Sequence, residues 1–309
     1  MSVLVTGGTG FIGKQLIPLL GDCLVTSRHP ESAAKTFAGQ SVTIIPWDPK
    51  TQPLELPSDV KIDTVFNLMG ESIADGRWNA ARKRRILDSR VQGTLALLEG
   101  LGKLNTPPTK LISSSAIGYY GDRGDSTLTE DDPPGKGFLA DVCRQWELAA
   151  QGGTSLGMRV VIVRIGIVMG LGGGALDSLL PAFRKGVGGK LGNGKQWISW
   201  IHIRDLVRLF AWTAKTSTVQ GPVNGTAPNP ITNALLTTAL AQALKRPACL
   251  PIPRMALRLA IGEFADSLYE SQRVIPEKAT RDGFDFEFQN LESCLADLLQ
   301  KRQPKSDSE

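Results

Sequence analysis

Thr6-Gly7-Gly8-Thr9-Gly10-Phe11-Ile12-Gly13 follows a short apolar run, Val3-Leu4-Val5, and opens a stretch from Phe11 to Leu20 that reads as a helix. Each of three glycines suits one task at a strand-to-helix turn that holds a diphosphate. Gly7 permits the tight turn, Gly10 lets the backbone approach the anion, and Gly13 allows helix and strand to pack closely. The first amides of the helix, around Phe11 and Ile12, offer free donors and a partial positive charge. A glycine triplet alone also fits a merely tight turn. Here the strand before it, the helix after it and its place at residue 7 together predict a dinucleotide cradle. Pro18 falls inside the predicted helix. An interior proline costs ~3 kcal/mol, so a kinked or short helix is expected.

Outward from this motif, strand and helix patterns alternate. Leu24 to Ser27, Val42 to Ile45, Thr64 to Leu68, Leu111 to Ser115 and Arg159 to Ile167 read as strands. Asn79 to Leu101 and Gly137 to Gln151 read as helices. Short runs rich in Val and Ile between helical patterns predict parallel strands covered on both faces. The expected fold is therefore α/β, a doubly wound parallel (Rossmann) sheet. After Gly170 the chain becomes glycine-dense, returns at Trp197 to Ile201, and enters a helix at Ile203 to Ala214. Met255 to Ala265 and Leu291 to Lys301 read as further helices. The expected division is a dinucleotide-binding domain of residues 1–170 plus 203–226 and a smaller substrate-side unit of residues 171–202 plus 227–303. Residues 304–309 form a polar tail expected to fray.

The 309 residues are 41% hydrophobic and 21% charged, a composition of globular proteins with enough material for a sizeable core. No stretch of 18 or more uncharged apolar residues is present, which excludes a helical membrane span. Met1 to Thr6 runs straight into a strand without the charged and apolar regions of a secretion signal, so a cytoplasmic location is expected. Lys plus Arg (35) exceeds Asp plus Glu (30) by only five. The densest cluster, Arg82-Lys83-Arg84-Arg85, has no interleaved aromatics and reads as a solvated helix face rather than a nucleic-acid patch. Cys23, Cys143, Cys249 and Cys294 are far apart, without a CxxC pair, which argues against a metal or disulfide framework. His29 and His202 are the only histidines, so no metal site is expected. The partner implied is a small molecule, with neither nucleic acid nor membrane; the oligomeric state stays open.

The end of the second strand selects the dinucleotide. An NAD site places a carboxylate about 20 residues after the first glycine to hold the ribose 2′-hydroxyl. Here Ser27-Arg28 falls there, with His29 next. A hydroxyl and a guanidinium suit a 2′-phosphate and leave nothing to repel it, so NADP(H) is expected over NAD. The plainer alternative is that Arg28 is an ordinary loop cation.

Taken together, the glycine motif, Asn67-Leu68-Met69-Gly70, Ser113-Ser114-Ser115 and Trp200-Ile201-His202-Ile203-Arg204-Asp205 resemble the extended short-chain dehydrogenases/reductases, the epimerase/dehydratase group. Gly118-Tyr119-Tyr120-Gly121, Leu180-Pro181-Ala182-Phe183-Arg184, Gly188-Gly189 and Val274-Ile275-Pro276 resemble, more narrowly, its atypical YfcH-like branch, which carries a C-terminal domain of unknown function. The resemblance implies that Leu68, Met69 and Gly70 line the cofactor's ribose and pyrophosphate, and that Trp47 and Asp48 flank the adenine. It implies further that Gly166 and Val168 border the nicotinamide. Arg90 stands just before Val91-Gln92-Gly93-Thr94, where the wider family has an asparagine, and is expected to pair with a cofactor phosphate; the alternative is a helix-surface arginine.

The wider family relies on a Tyr-x-x-x-Lys pair on the helix after the fifth strand, assisted by a serine. Counted back from Trp146-Glu147, the tyrosine position falls on Leu139 and the lysine position on Cys143. Leucine has no proton to give and a thiol carries no positive charge. The serine survives as Ser115, and Tyr120 is the candidate proton donor, with a packing role as its alternative. His202 is read as orienting a strand-to-helix turn. The expected function is an NADP(H)-binding, epimerase-like oxidoreductase acting on a small substrate without the usual pair. The alternative is a non-catalytic NADP(H)-binding sensor.

Overall fold

A computed structural model describes residues 2–248 and 251–300. Cys249, Lys301 and the expected tail lie outside the described residues. Seven parallel strands form the main sheet: β1 (Val3–Thr6), β2 (Cys23–Ser27), β3 (Val42–Pro46), β4 (Thr64–Asn67), β5 (Lys110–Ala116), β6 (Arg159–Ile165) and β7 (Gly221–Gly225). Their order is β7-β6-β5-β4-β1-β2-β3. The chain begins in the middle, winds to one edge, crosses back over β1, and winds to the other. The reversal between β1 and β4 opens a crevice at the strands' C-terminal ends, where doubly wound folds bind their ligands.

Alternation along each strand explains why both faces are covered. Leu4, Val65, Leu111 and Ile162 enter one core with Leu97, Leu98 and Leu101. Val5, Phe66, Ile112 and Val163 enter the other with Leu16, Leu206 and Phe210. Successive side chains point to opposite faces of a pleated strand, so two apolar neighbours in sequence serve two cores. The covering helices are α1 (Phe11–Leu16), α2 (Pro30–Thr36), α3 (Ala80–Gly102), α4 (Phe138–Gln151) and α6 (Ile203–Lys215), with α5 (Gly174–Arg184) between the last two in the chain. Pro18 has the expected effect. The first helix stops at Leu16 and continues only as a tighter turn, Ile17–Leu19.

A third core holds Met169, Leu176, Leu180, Phe183, Trp200, Leu236, Leu240, Phe288 and Leu295. It joins α5, α7 (Asn233–Leu244) and α11 (Leu291–Gln300). Between them in sequence lie α8 (Arg254–Ile261), α9 (Phe264–Ser267) and α10 (Glu277–Arg281). Five of these elements go beyond the sequence reading: α2, α5 inside the glycine-dense stretch, α7, α10 and β7. Leu176, Leu180 and Phe183, spaced for one helical face, carry α5 despite the glycines before it. The strand expected to run to Ile167 breaks at Gly166. Beyond it, Ile167–Met169 pairs with Trp200–His202 instead. A Cβ at Gly166 would stand 2.6 Å from the Ser199 carbonyl oxygen, so that crossing requires glycine. Residues 279–286 also differ from the expected division. Ala279, Phe284 and Phe286 pack into the larger core, not the smaller one. Among the described residues, no helix is long and apolar enough to cross a membrane.

Candidate dinucleotide cleft

A cleft of about 1120 Å³ lies at the C-terminal ends of β1, β2, β3 and β4, with α3 as its far wall. Gly7, Gly10, Ser27, Arg28, Trp47, Asp48, Leu68, Met69 and Gly70 all line it. Phe11, Ile12, Gly13, Arg90, Gly166, Val168, Ser115 and Tyr120 are not among its lining residues.

The glycines are needed where they stand. Gly7 has φ +67°, and a Cβ there would meet the Leu68 backbone at 2.7 Å. The Gly10 amide donates to the Gly7 carbonyl at 3.0 Å and closes the turn. A Cβ at Gly13 would lie 2.4 Å from the Gly8 carbonyl oxygen. Gly10 caps α1 without a side-chain acceptor, so the first-turn amides keep their donors for a ligand. This is the cradle a diphosphate fits. Phe11 instead packs against Gly170, Gly173 and Gly174, where the second unit begins. Ile12 and Val168 pack against the larger core.

Beneath the cleft, Asn67 is a hub. Its Oδ1 accepts from Thr6 at 2.8 Å, and its Nδ2 donates to Thr94 at 3.0 Å and Ser113 at 3.2 Å, tying β1, β4, α3 and β5 together. Gly93 lets α3 approach, because a Cβ there would sit 2.7 Å from the Met69 sulfur. At the end of β2, Arg28 is exposed in the cleft and Ser27 Oγ accepts from the His29 amide at 3.1 Å. Trp47 is buried, and its indole donates to the Gln52 carbonyl at 3.1 Å, shaping the loop after β3. Asp48 Oδ1 accepts from the Lys50 amide in the same loop.

The basic cluster on α3 is not simply a solvated face. Arg82 is buried and bonds the Glu71 carboxylate and the Ser72 carbonyl. Arg85 reaches Glu71 at 3.3 Å, Ser89 Oγ accepts from the Glu71 amide, and Arg90 Nη1 donates to the Glu71 carbonyl at 3.0 Å. Four α3 side chains thus pin the segment after β4, while Arg84 and Arg85 line the cleft.

The place of the Tyr–Lys pair is apolar. A Cβ at Gly118 would stand 3.3 Å from Leu139 Cβ and 3.8 Å from the Cys143 sulfur, so both α4 side chains face this glycine. Burial, reinforced by Glu147, pushes the Cys143 thiol up to about 11, and it stays protonated at neutral pH. Ser115 Oγ donates to Glu147 Oε1 at 2.7 Å. Glu147 in turn receives Arg164 at both oxygens, each at 2.9 Å. Tyr120 is fully buried. Its hydroxyl donates to Asn224 Oδ1 at 2.7 Å and accepts from Arg164 Nη1 at 2.9 Å. Burial raises its pKa, and the nearby Arg164 only partly opposes this. Glu130 continues the chain, accepting from the Asn224 amide at 2.9 Å and the Lys278 amide at 3.3 Å. Both candidate catalytic hydroxyls therefore spend their protons inside one buried network.

Sequence reading missed Glu147, Arg164, Glu130 and Asn224. The signal was available: Arg164 ends a run of Val and Ile in a buried strand, and a charge there demands a partner. His202 takes the structural part expected of it. Its Nδ1 accepts from the Arg204 amide at 3.0 Å, capping α6. Asp205, fully buried, accepts the backbone amides of Glu287 and Phe288.

Residues 3–224 match the NAD dependent epimerase/dehydratase family, and residues 252–298 match a domain of unknown function, DUF1731. The chloroplastic epimerase family protein SDR39U1 homolog of Arabidopsis thaliana is 37% identical, over 97% of this chain and 87% of its own. The epimerase family protein YfhF of Bacillus subtilis is 33% identical, over 98% and 99%. In three dimensions the chain is similar to the crystal structure of human epimerase family protein SDR39U1 (isoform 2) with NADPH. The TM-score is 0.84 at 33% identity, covering 97% of this chain and 99% of that one. The chain belongs to the NAD dependent epimerase/dehydratase family, in the branch that carries the DUF1731 segment behind its nucleotide-binding sheet.

Proposed function

We propose that this chain binds NADP(H) in the cleft above β1 and β4 and acts as an epimerase-like oxidoreductase on a small molecule, with a proton donor other than a Tyr–Lys pair. The observation that carries the reading is that the glycine cradle and Arg28 line one cleft, with a guanidinium rather than a carboxylate at the end of β2. Gly7 and Gly10 would hold the pyrophosphate. Ser27 and Arg28 would hold the 2′-phosphate, and Asp48, Met69 and Gly70 would flank the adenosine and the ribose. A human relative of the same fold, 33% identical, was crystallised with NADPH, which supports the choice of cofactor. When bound, the cofactor supplies or accepts a hydride; orientation of the substrate falls to this chain's own residues. A cytoplasmic location is part of the same reading, supported by the three buried, unpaired thiols of Cys23, Cys143 and Cys294.

A second reading, a sensor that binds NADP(H) without turnover, is favoured by one observation. Leu139 and Cys143 fill the catalytic pair's place while Ser115 is engaged by Glu147. Titration with NADPH and NADH, followed by nicotinamide fluorescence, tests the cofactor; preference for NADH overturns the reading. Consumption of NADPH with aldehydes, ketones, quinones or sugar nucleotides supports the enzyme. Tight binding with no turnover across that range supports the sensor.

A further inference from the structure

Among the described residues, Arg90 is in no ion pair. Its Nη1 donates to two carbonyls, Glu71 and Ile86, each at 3.0 Å. Among the described residues no carboxylate lies within 4.0 Å of it, and neither Nε nor Nη2 has a hydrogen-bond partner. Its guanidinium carbon lies 5.1 Å from the centre of the Trp146 ring, which steadies the cation from the α4 side. On the other side it backs directly onto the cleft wall. A Cβ at Gly70 would approach Arg90 Cζ at 3.1 Å and Nη2 at 3.2 Å, and Gly70 itself lines the cleft.

The neighbour across from it is informative. Trp146 lies on α4 one turn after Cys143, the position that would carry the lysine in the wider family. Arg90 lies close enough to Cys143 for its charge to oppose, in part, the rise of the thiol's pKa. Burial draws Arg90 below its ordinary value, yet an arginine starts so far above neutrality that it remains charged. A positive charge is therefore present between α3 and α4 behind Gly70, delivered from α3 rather than α4. Gly70 has no side chain to screen it.

Resting on the NADP(H) reading above, we propose that Arg90 replaces the missing lysine: its free Nε and Nη2 donors hold the hydroxyls of the ribose that bears the nicotinamide. Arg90 thus positions the reactive half of the dinucleotide, while Arg28 selects the other half. The arrangement predicts a separable loss. Adenosine 2′,5′-bisphosphate has the 2′-phosphate end but no nicotinamide ribose.

The test is isothermal titration of the full chain with NADPH and with adenosine 2′,5′-bisphosphate. Arg90→Met is expected to weaken NADPH by about tenfold or more, the scale of a lost charge-assisted hydrogen bond. It should leave the bisphosphate within about twofold, which also shows that the variant is folded. Arg90→Lys should lose less than Arg90→Met. Adding Cys143→Lys to Arg90→Met should recover NADPH binding by returning a cation from α4. An unchanged NADPH affinity in Arg90→Met overturns the proposal, and so does an equal loss of both ligands, which marks a purely structural residue. Wild-type protein that binds neither ligand overturns the cleft reading itself, and the Arg90 assignment with it.

Discussion

Glu147 of α4 and Arg164 of β6 meet in a two-pronged ion pair, Nε to Oε1 and Nη2 to Oε2, both 2.9 Å, with side chains 6% and 4% exposed. Burial works against the charge on Arg164. The hydrogen bonds and charge of Glu147, with the Tyr120 hydroxyl, outweigh it and hold the guanidinium above its ordinary pKa. Tyr119 lies flat beneath, its ring centre 3.5 Å from the guanidinium carbon. Breaking such a pair strands the surviving charge. Arg164→Met should lower the unfolding free energy by about 3–5 kcal/mol in urea, and Arg164→Met with Glu147→Leu by clearly less. Equal losses in the single and double variants would contradict a mutually dependent pair.

Arg28 is expected to choose between the two nicotinamide dinucleotides. Arg28→Ala should weaken NADPH by about tenfold to a hundredfold, the range for a charge-assisted contact, and leave NADH where it was. Parallel titrations measure the ratio. A uniform loss would place Arg28 outside the 2′-phosphate contact.

Gly13 leaves no room for a methyl group, because the Gly8 carbonyl oxygen would lie 2.4 Å from it. Gly13→Ala should push α1 away from the turn and cost about 1–3 kcal/mol of stability, as overpacking does. Dinucleotide affinity should fall with it. Gly21 has open space around it, and Gly21→Ala serves as the comparison: its strain is local, at φ +73°, and should leave affinity intact. Calorimetry and titration of the two variants give the contrast.

Glu270 gives the protein a pH signature. Burial, with the Asp122 charge adding, lifts its carboxyl to about 7, against an ordinary value of 4.5. The folded chain therefore holds this proton more tightly than the unfolded chain. Its stabilising share is complete below pH 4.5 and fades as the pH rises through about 7. Glu270→Gln removes the charge. It should match wild type near pH 4.5 and exceed it by about 2 kcal/mol at pH 8, allowing for partial exposure. Urea unfolding across that range shows whether the gap opens with pH; a constant gap would contradict the assignment.

Six of the seven strands were legible because their signals are local. Alternating apolar pairs such as Val65 and Phe66 mark a strand buried on both faces, and Gly7, Gly10 and Gly13 mark the turn that follows β1. The cleft end of β2 was legible for the same reason, Ser27 and Arg28 being adjacent in the chain. The network under Ser115 was not, because its members come from α4, β6, β7, α10 and the loop between β5 and α4, and only the fold brings them together. Arg90 was noticed as a candidate. That it stands behind Gly70 and against Trp146 depends on how α3 packs on α4. α5 was hidden by the glycines that precede it, since Leu176, Leu180 and Phe183 have only each other and distant residues to declare them.

Asp205 grips the amides of residues 287 and 288, Ser199 holds the carbonyls of Gln272 and Val274, and Phe284 and Phe286 plug the hydrophobic layer under β6 and β7. The frontier between the two matched regions is thus a line drawn on the chain, not a seam in the solid. A polypeptide severed between residues 224 and 252 would expose a hole on one fragment and a fringe of orphaned aromatics on the other. Inheritance of the trailing segment is therefore bound to that of its host, and neither is expected to travel as a free module.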